Sequence, residues 1–368
     1  MAVHISDLFV SRFRGIEALH LGELNGINIL TGDNNSGKTS VLEVLSTLDG
    51  PGSFLAWGLC GRSSTRPVAR RMYYESFYSL FPVDNQDKQV LYEVRDARGV
   101  SHTIMLVADI YDTQVSEAEM DFINYGARIN RTDESDQLQN HDAKCMELRA
   151  YVDGSATDLG DLYDFQYRVN RRYRRGGEAR IVPTLLVAPF SHAYGSIRMN
   201  EILSNSDLYE EFLEVLQVFD DQIIGVNAAS SSSIGSRADY QVLTKRRKEA
   251  LPLSAYGDGM KKAILLCADA VSAKNGLLLL DEFETAIHTS AMGQVFRALL
   301  HTAMRMNVQV FMTSHSKEAI EKVLNLGGDI QEQINLYTLY KYDGRTLVRR
   351  MSCAEALEAS CDLGVELR

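Results

Sequence analysis

Residues 32–39, GDNNSGKT, have the types and spacing that can hold a chain of phosphates. They match G-x-x-x-x-G-K-[ST]. Before them INILT (residues 27–31) reads as a strand, and after them residues 38–48 read as a helix with Val41, Leu42, Leu45 and Leu48 on one face. In a strand–loop–helix unit of this kind, backbone N–H groups and a helix N-terminus point at one spot and favour negative charge there. Gly32 and Gly37 permit the tight turn and the close approach of backbone to phosphate, while Asn34, Asn35, Ser36 and Ser40 complete the cradle. Lys38 is expected to reach the β- and γ-phosphates, and Thr39 to give its hydroxyl to Mg²⁺. A chance polar turn is the weaker reading of so complete a pattern.

Three further segments supply what a bare phosphate cradle lacks. LLLLDEFETAIH (residues 277–288) is an apolar run that ends in two acids. A buried strand would hold them rigidly at a sheet edge, with Asp281 placed for the metal and Glu282 for polarising a water as general base. TSHS (residues 313–316) follows the apolar run VQVFM, so His315 is also expected at a strand end, within hydrogen-bonding reach of a γ-phosphate. PLSAYGDGMKKAILL (residues 252–266) opens a helix with small residues, a second anion-binding N-terminus. Glu284 and His288 are spaced i, i+4, which on a helix would put them on one face as a metal pair or, more in keeping with their place, a contact to a second copy.

These parts need a layered scaffold, and the rest of the chain reads as one. Strand-like runs alternate with helical ones, which implies an α/β fold with a mainly parallel core sheet. Residues 207–223 read as one amphipathic helix carrying Leu208, Phe212, Val215, Leu216, Phe219 and Ile223 on a stripe. Residues 290–305 read as another helix, INLYTLY and TLVRRM as a closing hairpin through Asp343 and Gly344, and Ser352 with Glu355 as a capping box. Between 110 and 180 the chain is first acidic (SEAEMDF, RTDESDQLQN) and then basic (YRVNRRYRR). The expected division is therefore 1–108 as a first lobe with the phosphate loop, 109–225 as a mostly helical insertion, and 226–368 as a second lobe.

Composition narrows the partners. A net charge of −11 argues against coating by nucleic acid except at a local basic patch. Residues 163–175, YDFQYRVNRRYRR, have the arginine–aromatic mixture of such a patch, although a solvated basic face balancing the acidic stretch is the plainer reading. No apolar run is long enough to span a membrane, and MAVHISDLFVSRF resembles a strand rather than a secretion signal. Cys60, Cys145, Cys267, Cys353 and Cys361 show no metal or redox spacing, so reduced thiols in a cytoplasm are expected.

The order of the four segments resembles the ABC-type ATPases, a P-loop NTPase fold with Walker A, a signature helix, Walker B with a catalytic Glu, and a switch His. FRGI (residues 13–16), NNSGKTS, DEFE with His288, and TSHS look like the RecF/SMC/OLD branch, most like its small members without long coiled coils. The resemblance implies an ABC-ATPase head with an antiparallel β subdomain, and ATP with Mg²⁺ as ligands. It further implies a homodimer in which the signature of one copy closes on the γ-phosphate held by the other. The Leu-Ser-Gly-Gly-Gln signature would place either Ser254 at its Ser, or Gly257-Asp258-Gly259 at its Ser-Gly-Gly. Gln86 or Gln89 would supply the Q-loop. The chain after His315 has no D-x-D pair and little room for a Toprim nuclease, so a nuclease served by this protein is expected on a separate polypeptide. Members of this kind often partner toxic effectors in phage defence. A DNA-clamping repair ATPase is the rival, and a transporter subunit a weaker one.

Overall fold

The computed structural model describes residues 3–60, 73–83, 87–125, 140–166, 180–194, 199–229, 239–342 and 345–362. The chain opens with the hairpin β1 (Ile5–Phe13) and β2 (Ile16–Leu21), then β3 (Ile27–Gly32), the phosphate loop and α1 (Lys38–Ser46). Two short helices, α2 (Phe54–Cys60) and α3 (Tyr73–Tyr78), lead to β4 (Gln89–Asp96), β5 (Ser101–Ser116), α4 (Glu117–Tyr125), β6 (Asn140–Val152) and β7 (Ser155–Tyr163). Then come β8 (Thr184–Val187), α5 (Ser191–Tyr194), α6 (Asn200–Leu203), α7 (Ser206–Gln217), β9 (Ile223–Ala229), β10 (Asp239–Thr244) and β11 (Leu251–Pro252). The chain continues with α8 (Asp258–Ser272), β12 (Leu277–Leu280), α9 (Thr289–Arg305), β13 (Gln309–Thr313), α10 (Lys317–Leu324), β14 (Ile334–Tyr342), β15 (Arg345–Ser352) and α11 (Cys353–Asp362).

The core sheet has the order β15-β14-β3-β13-β12-β8. Every neighbouring pair is parallel except β14 with β15, as the α/β reading requires. Both faces of this sheet are covered, which is why β12 is an uninterrupted LLLL. Leu277 and Leu279 join a core made with α1, β1, β2, β4 and β5. Leu278 and Leu280 face the opposite way, into a core made with α7, α8, α9 and α10. The period of two in a strand thus divides one apolar run between two cores.

A second sheet, β2-β1-β4-β5-β6-β7, is antiparallel throughout. It is the expected antiparallel subdomain, but it extends far into 109–225. Among the described residues the expectation of a mostly helical insertion there is corrected: β5, β6 and β7 form much of that segment, and α4 is the helix described before β8. Of the polar stretches, SEAEMDF is helical from Glu117 on, as α4, while 126–139 and 167–179 lie outside the described residues; the strands between them each have one wet face. In β6, NHDAKCMELRAYV, Cys145, Met146, Leu148 and Ala150 are buried, while Asn140, His141 and Arg149 are exposed. The helix expected over 207–223 ends at Gln217 instead. Asp220 accepts from Gln222 N at 3.0 Å in a turn, and Ile223 begins β9. The capping box is present: Ser352 N donates to Glu355 Oε2 at 2.7 Å.

Candidate functional site

The phosphate loop leaves β3 between two tight contacts. Gly32 pairs with Leu339 of β14, and a Cβ on it would lie 1.9 Å from the Leu339 carbonyl oxygen. Its φ of +132° also excludes ordinary side chains. At Gly37, with φ of +104°, a Cβ would meet the Ile16 side chain at 3.1 Å. The FRGI segment therefore backs the loop, and Arg14 ties it to α1 through an ion pair with Glu43 at 3.1 Å. Inside the loop Ser36 N donates to Asp33 O at 3.2 Å, and Asn35 takes a left-handed φ of 63°. Lys38 is 5% exposed and donates to the carbonyls of Gly32 (2.7 Å) and Asp33 (2.8 Å). Burial lowers its pKa, opposed by Asp33, Asp281 and Glu282.

Asp281 follows β12 directly and gathers two hydroxyls. Thr39 Oγ1 lies 3.1 Å from Asp281 Oδ1, and Thr313 Oγ1 donates to the same oxygen at 2.7 Å. Thr313 was not singled out by the sequence reading. Strand order brings it in: β12 and β13 pair with Leu280 opposite Met312, which sets Asp281 beside Thr313, the last residue of β13. Thr313 Oγ1 also accepts from Glu282 N at 2.8 Å. That bond steadies Glu282 in a left-handed conformation, φ 44°, which costs an L-residue about 1 kcal/mol. Thr39 and Asp281 are adjacent oxygen donors of the kind Mg²⁺ takes, since that ion draws one or two ligands from protein and the rest from water and phosphate. Among the described residues no cluster of three His, Cys, Asp or Glu side chains could hold a metal by itself.

His315 is exposed at the end of β13, and its backbone is held from the acidic side. His315 N and Ser314 Oγ both donate to Glu284 Oε1, at 3.2 Å and 2.7 Å. The pairing of Glu284 with His288 on one helix face is corrected. Residues 281–286 form turns, and α9 begins at Thr289 with His288 as its N-cap, accepting from Ser290 N at 3.3 Å. Gln89 donates to Met105 Sδ within the antiparallel sheet, on β4 rather than at this edge, and Gln86 lies outside the described residues. So do residues 167–175 of the basic–aromatic run.

The signature candidates stand apart. Gly257 is the N-cap of α8, and nothing lies within 4 Å of the position its Cβ would take. Ser254 and Asp258 are exposed, and Asp258 pairs with Lys261 at 3.2 Å. A Cβ on Gly259 would be 3.0 Å from Ala286 O, so the first turn of α8 packs on the turn that follows Asp281. Among the described residues, no hydrogen bond joins Ser254, Gly257, Asp258 or Gly259 to residues 32–40. One turn further, Lys262 is 1% exposed and donates to Pro189 O at 3.0 Å. Burial pushes its pKa down to about 8, with Glu284 the first of the acids that resist the shift.

Residues 150–321 match the family described as "AAA domain, putative AbiEii toxin, Type IV TA system". That span holds the signature candidates, Asp281, Glu282 and His315. An "ATP/GTP phosphatase" of Helicobacter pylori is 24% identical over 384 residues, covering 96% of this chain and 97% of that protein. The "DNA replication and repair protein RecF" of Pseudoalteromonas translucida is 50% identical over 50 residues, covering 14% of each chain. Among solved structures, the "SMC head domain from Thermotoga maritima" aligns with a TM-score of 0.46 and 13% identity, covering 95% of this chain and 99% of that one. No helix among the described residues is long and apolar enough to cross a membrane.

Proposed function

Because this chain is an ABC-type ATPase of the RecF/SMC-like kind, we propose that it closes as a homodimer around ATP and hydrolyses it at two shared sites. The cycle gates a partner effector, such as a nuclease or toxin, in defence against phage. The observation that carries the reading is the meeting of Lys38, Thr39, Asp281 and Thr313 at one sheet edge. Loop N–H groups and the start of α1 receive the phosphates. The Lys38 ammonium, now on two carbonyls, gains a charge-assisted partner in a phosphate oxygen. Thr39 and Asp281 hold Mg²⁺, which when bound neutralises charge on the phosphates. Glu282 orients the attacking water and takes its proton, and His315 donates to the γ-phosphate. Gly257 and Gly259, with Ser254 and Asp258 beside them, form the face that closes on the γ-phosphate held by a second copy. The description of the matched family, which names a toxin, supports the effector side of the proposal.

Phosphate release, light scattering and nucleotide content test it together. Lys38→Ala should abolish turnover, and Glu282→Gln should retain ATP and lock dimers. A Glu282→Gln protein that turned over at the parent rate would remove Glu282 from its role. Lys38→Ala that still protected cells from phage would remove the effector reading. The RecF match favours a second reading, a repair ATPase that clamps DNA. It requires duplex DNA to stimulate turnover in a salt-sensitive way, and a flat titration excludes it.

A further inference from the structure

Glu284 has no place in the cycle just described, yet it is built into the edge. One of its oxygens, Oε1, accepts two hydrogen bonds that bracket a single peptide, from Ser314 Oγ at 2.7 Å and His315 N at 3.2 Å. Ser314 is fully buried, and its hydroxyl in turn accepts from Ser316 N at 2.9 Å. Ser316 Oγ then caps α10 through Ala319 N at 3.2 Å. On the other side Ser314 N donates to Leu30 O at 3.2 Å, beside the strand end that launches the phosphate loop. His315 is thus an exposed side chain on a backbone fixed at both flanks, and Glu284 is the one side chain that grips it from the turn after Asp281. The second oxygen, Oε2, is buried without a hydrogen-bond partner. The buried Lys262 ammonium, carried by α8, has Glu284 as its foremost acidic neighbour.

We propose that Glu284 is a positioning residue for His315: its Oε1 fixes the His315 peptide so that the imidazole is presented to the γ-phosphate. The proposal rests on the ATPase reading for its consequence but not for its geometry. A switch histidine acts only if its ring arrives at hydrogen-bonding distance, and small misplacements of such a group are costly in rate. Ser314 and His315 N lose their shared acceptor when Glu284 is removed, and the loop is then free to settle elsewhere. Gln keeps a carbonyl oxygen for both donors, and Ala keeps neither.

The test compares Glu284→Ala and Glu284→Gln with the parent. Glu284→Ala is expected to lower kcat about tenfold with ATP affinity within about twofold of the parent, because Glu284 meets no phosphate. Glu284→Gln should keep most of the rate. In a His315→Ala background the Glu284→Ala change should cost nothing more, the signature of two residues acting as one unit. Full additivity there, or parent kcat in Glu284→Ala, overturns the proposal. Amide hydrogen exchange reads the same loop without turnover. The His315 amide should exchange about tenfold faster in Glu284→Ala and at the parent rate in Glu284→Gln, a local opening and not a global one. Unchanged exchange in Glu284→Ala overturns it as well. If the parent failed to hydrolyse ATP, the ATPase reading would fall, and the exchange result would still decide whether Glu284 holds the loop.

Discussion

Two halves of the candidate site are built on opposite plans. At the sheet edge Thr39, Asp281, Glu282 and Thr313 are joined by hydrogen bonds within one chain, and Lys38 beside them is bonded to the carbonyls of Gly32 and Asp33. At the head of α8, Gly257 has open space around it, and Ser254 and Asp258 are exposed. An arrangement meant to be finished inside one molecule would spend its helix N-terminus on its own phosphate loop. On the proposed reading that N-terminus is left accessible because its ligand arrives on another copy. The contrast then sets a half that is satisfied within one chain against a half that closure would complete.

The two glycines at the centre of these halves give the largest test. Gly32→Ala puts a methyl into the Leu339 carbonyl at a forbidden φ, and should cost roughly 3 kcal/mol of stability or more, seen as a drop in Tm or failure to fold. Gly257→Ala meets nothing in its own chain, so it should cost under about 1 kcal/mol. It should nevertheless lower ATP turnover about tenfold by obstructing a second copy's phosphates. Equal turnover in Gly257→Ala and parent would break the comparison. A smaller effect is expected from Thr313→Val. It leaves Glu282 N without its acceptor and Asp281 with one donor fewer, at a cost of about 1–3 kcal/mol in denaturant melts. Ser254→Ala, which has no such network to break, should melt with the parent.

The sheet edge was legible because each of its motifs follows a run of apolar residues, and strand ends are what the sequence marks best. INILT, LLLLDE and VQVFMTSHS announce their own geometry. Thr313 was missed because its importance is a matter of strand order, and no residue in β12 or β13 states that the two are neighbours. The i, i+4 reading of Glu284 and His288 failed because the helix begins later, at Thr289, where His288 is used as the cap. Past residue 109 the acidic SEAEMDF is helical from Glu117 on, as α4, but it sits among β5, β6 and β7, whose alternation of buried and exposed positions marks strands with one wet face. The signature candidates are recognisable by type, but among the described residues of one chain neither Ser254 nor Gly257 is bonded to the phosphate loop, so the geometry of a single copy does not choose between them.

Gly259 brings α8 against the turn that follows Asp281, and the charge of the buried Lys262 on the same helix offers the finest test. Lys262 rides on α8 past Gly257, is buried and donates to Pro189 O. Burial lowers its pKa against the pull of Glu284, Asp269, Asp281 and Glu282, and burial, then Lys262, lowers the pKa of His192. Folding lowers the Lys262 pKa from 10.5 to about 8. Between those values the unfolded chain binds the proton that the folded protein has shed, so stability must rise with pH across that window. Below about pH 8 both states are charged and the folded protein carries the whole cost of desolvating the ammonium. Lys262→Met has no such cost. Relative to that variant, the parent should therefore gain on the order of 3 kcal/mol between pH 7.5 and pH 10.5 in urea melts. A difference that stayed flat with pH would mean that Lys262 reaches water, and that α8 is coupled to the Asp281 turn by packing at Gly259 alone.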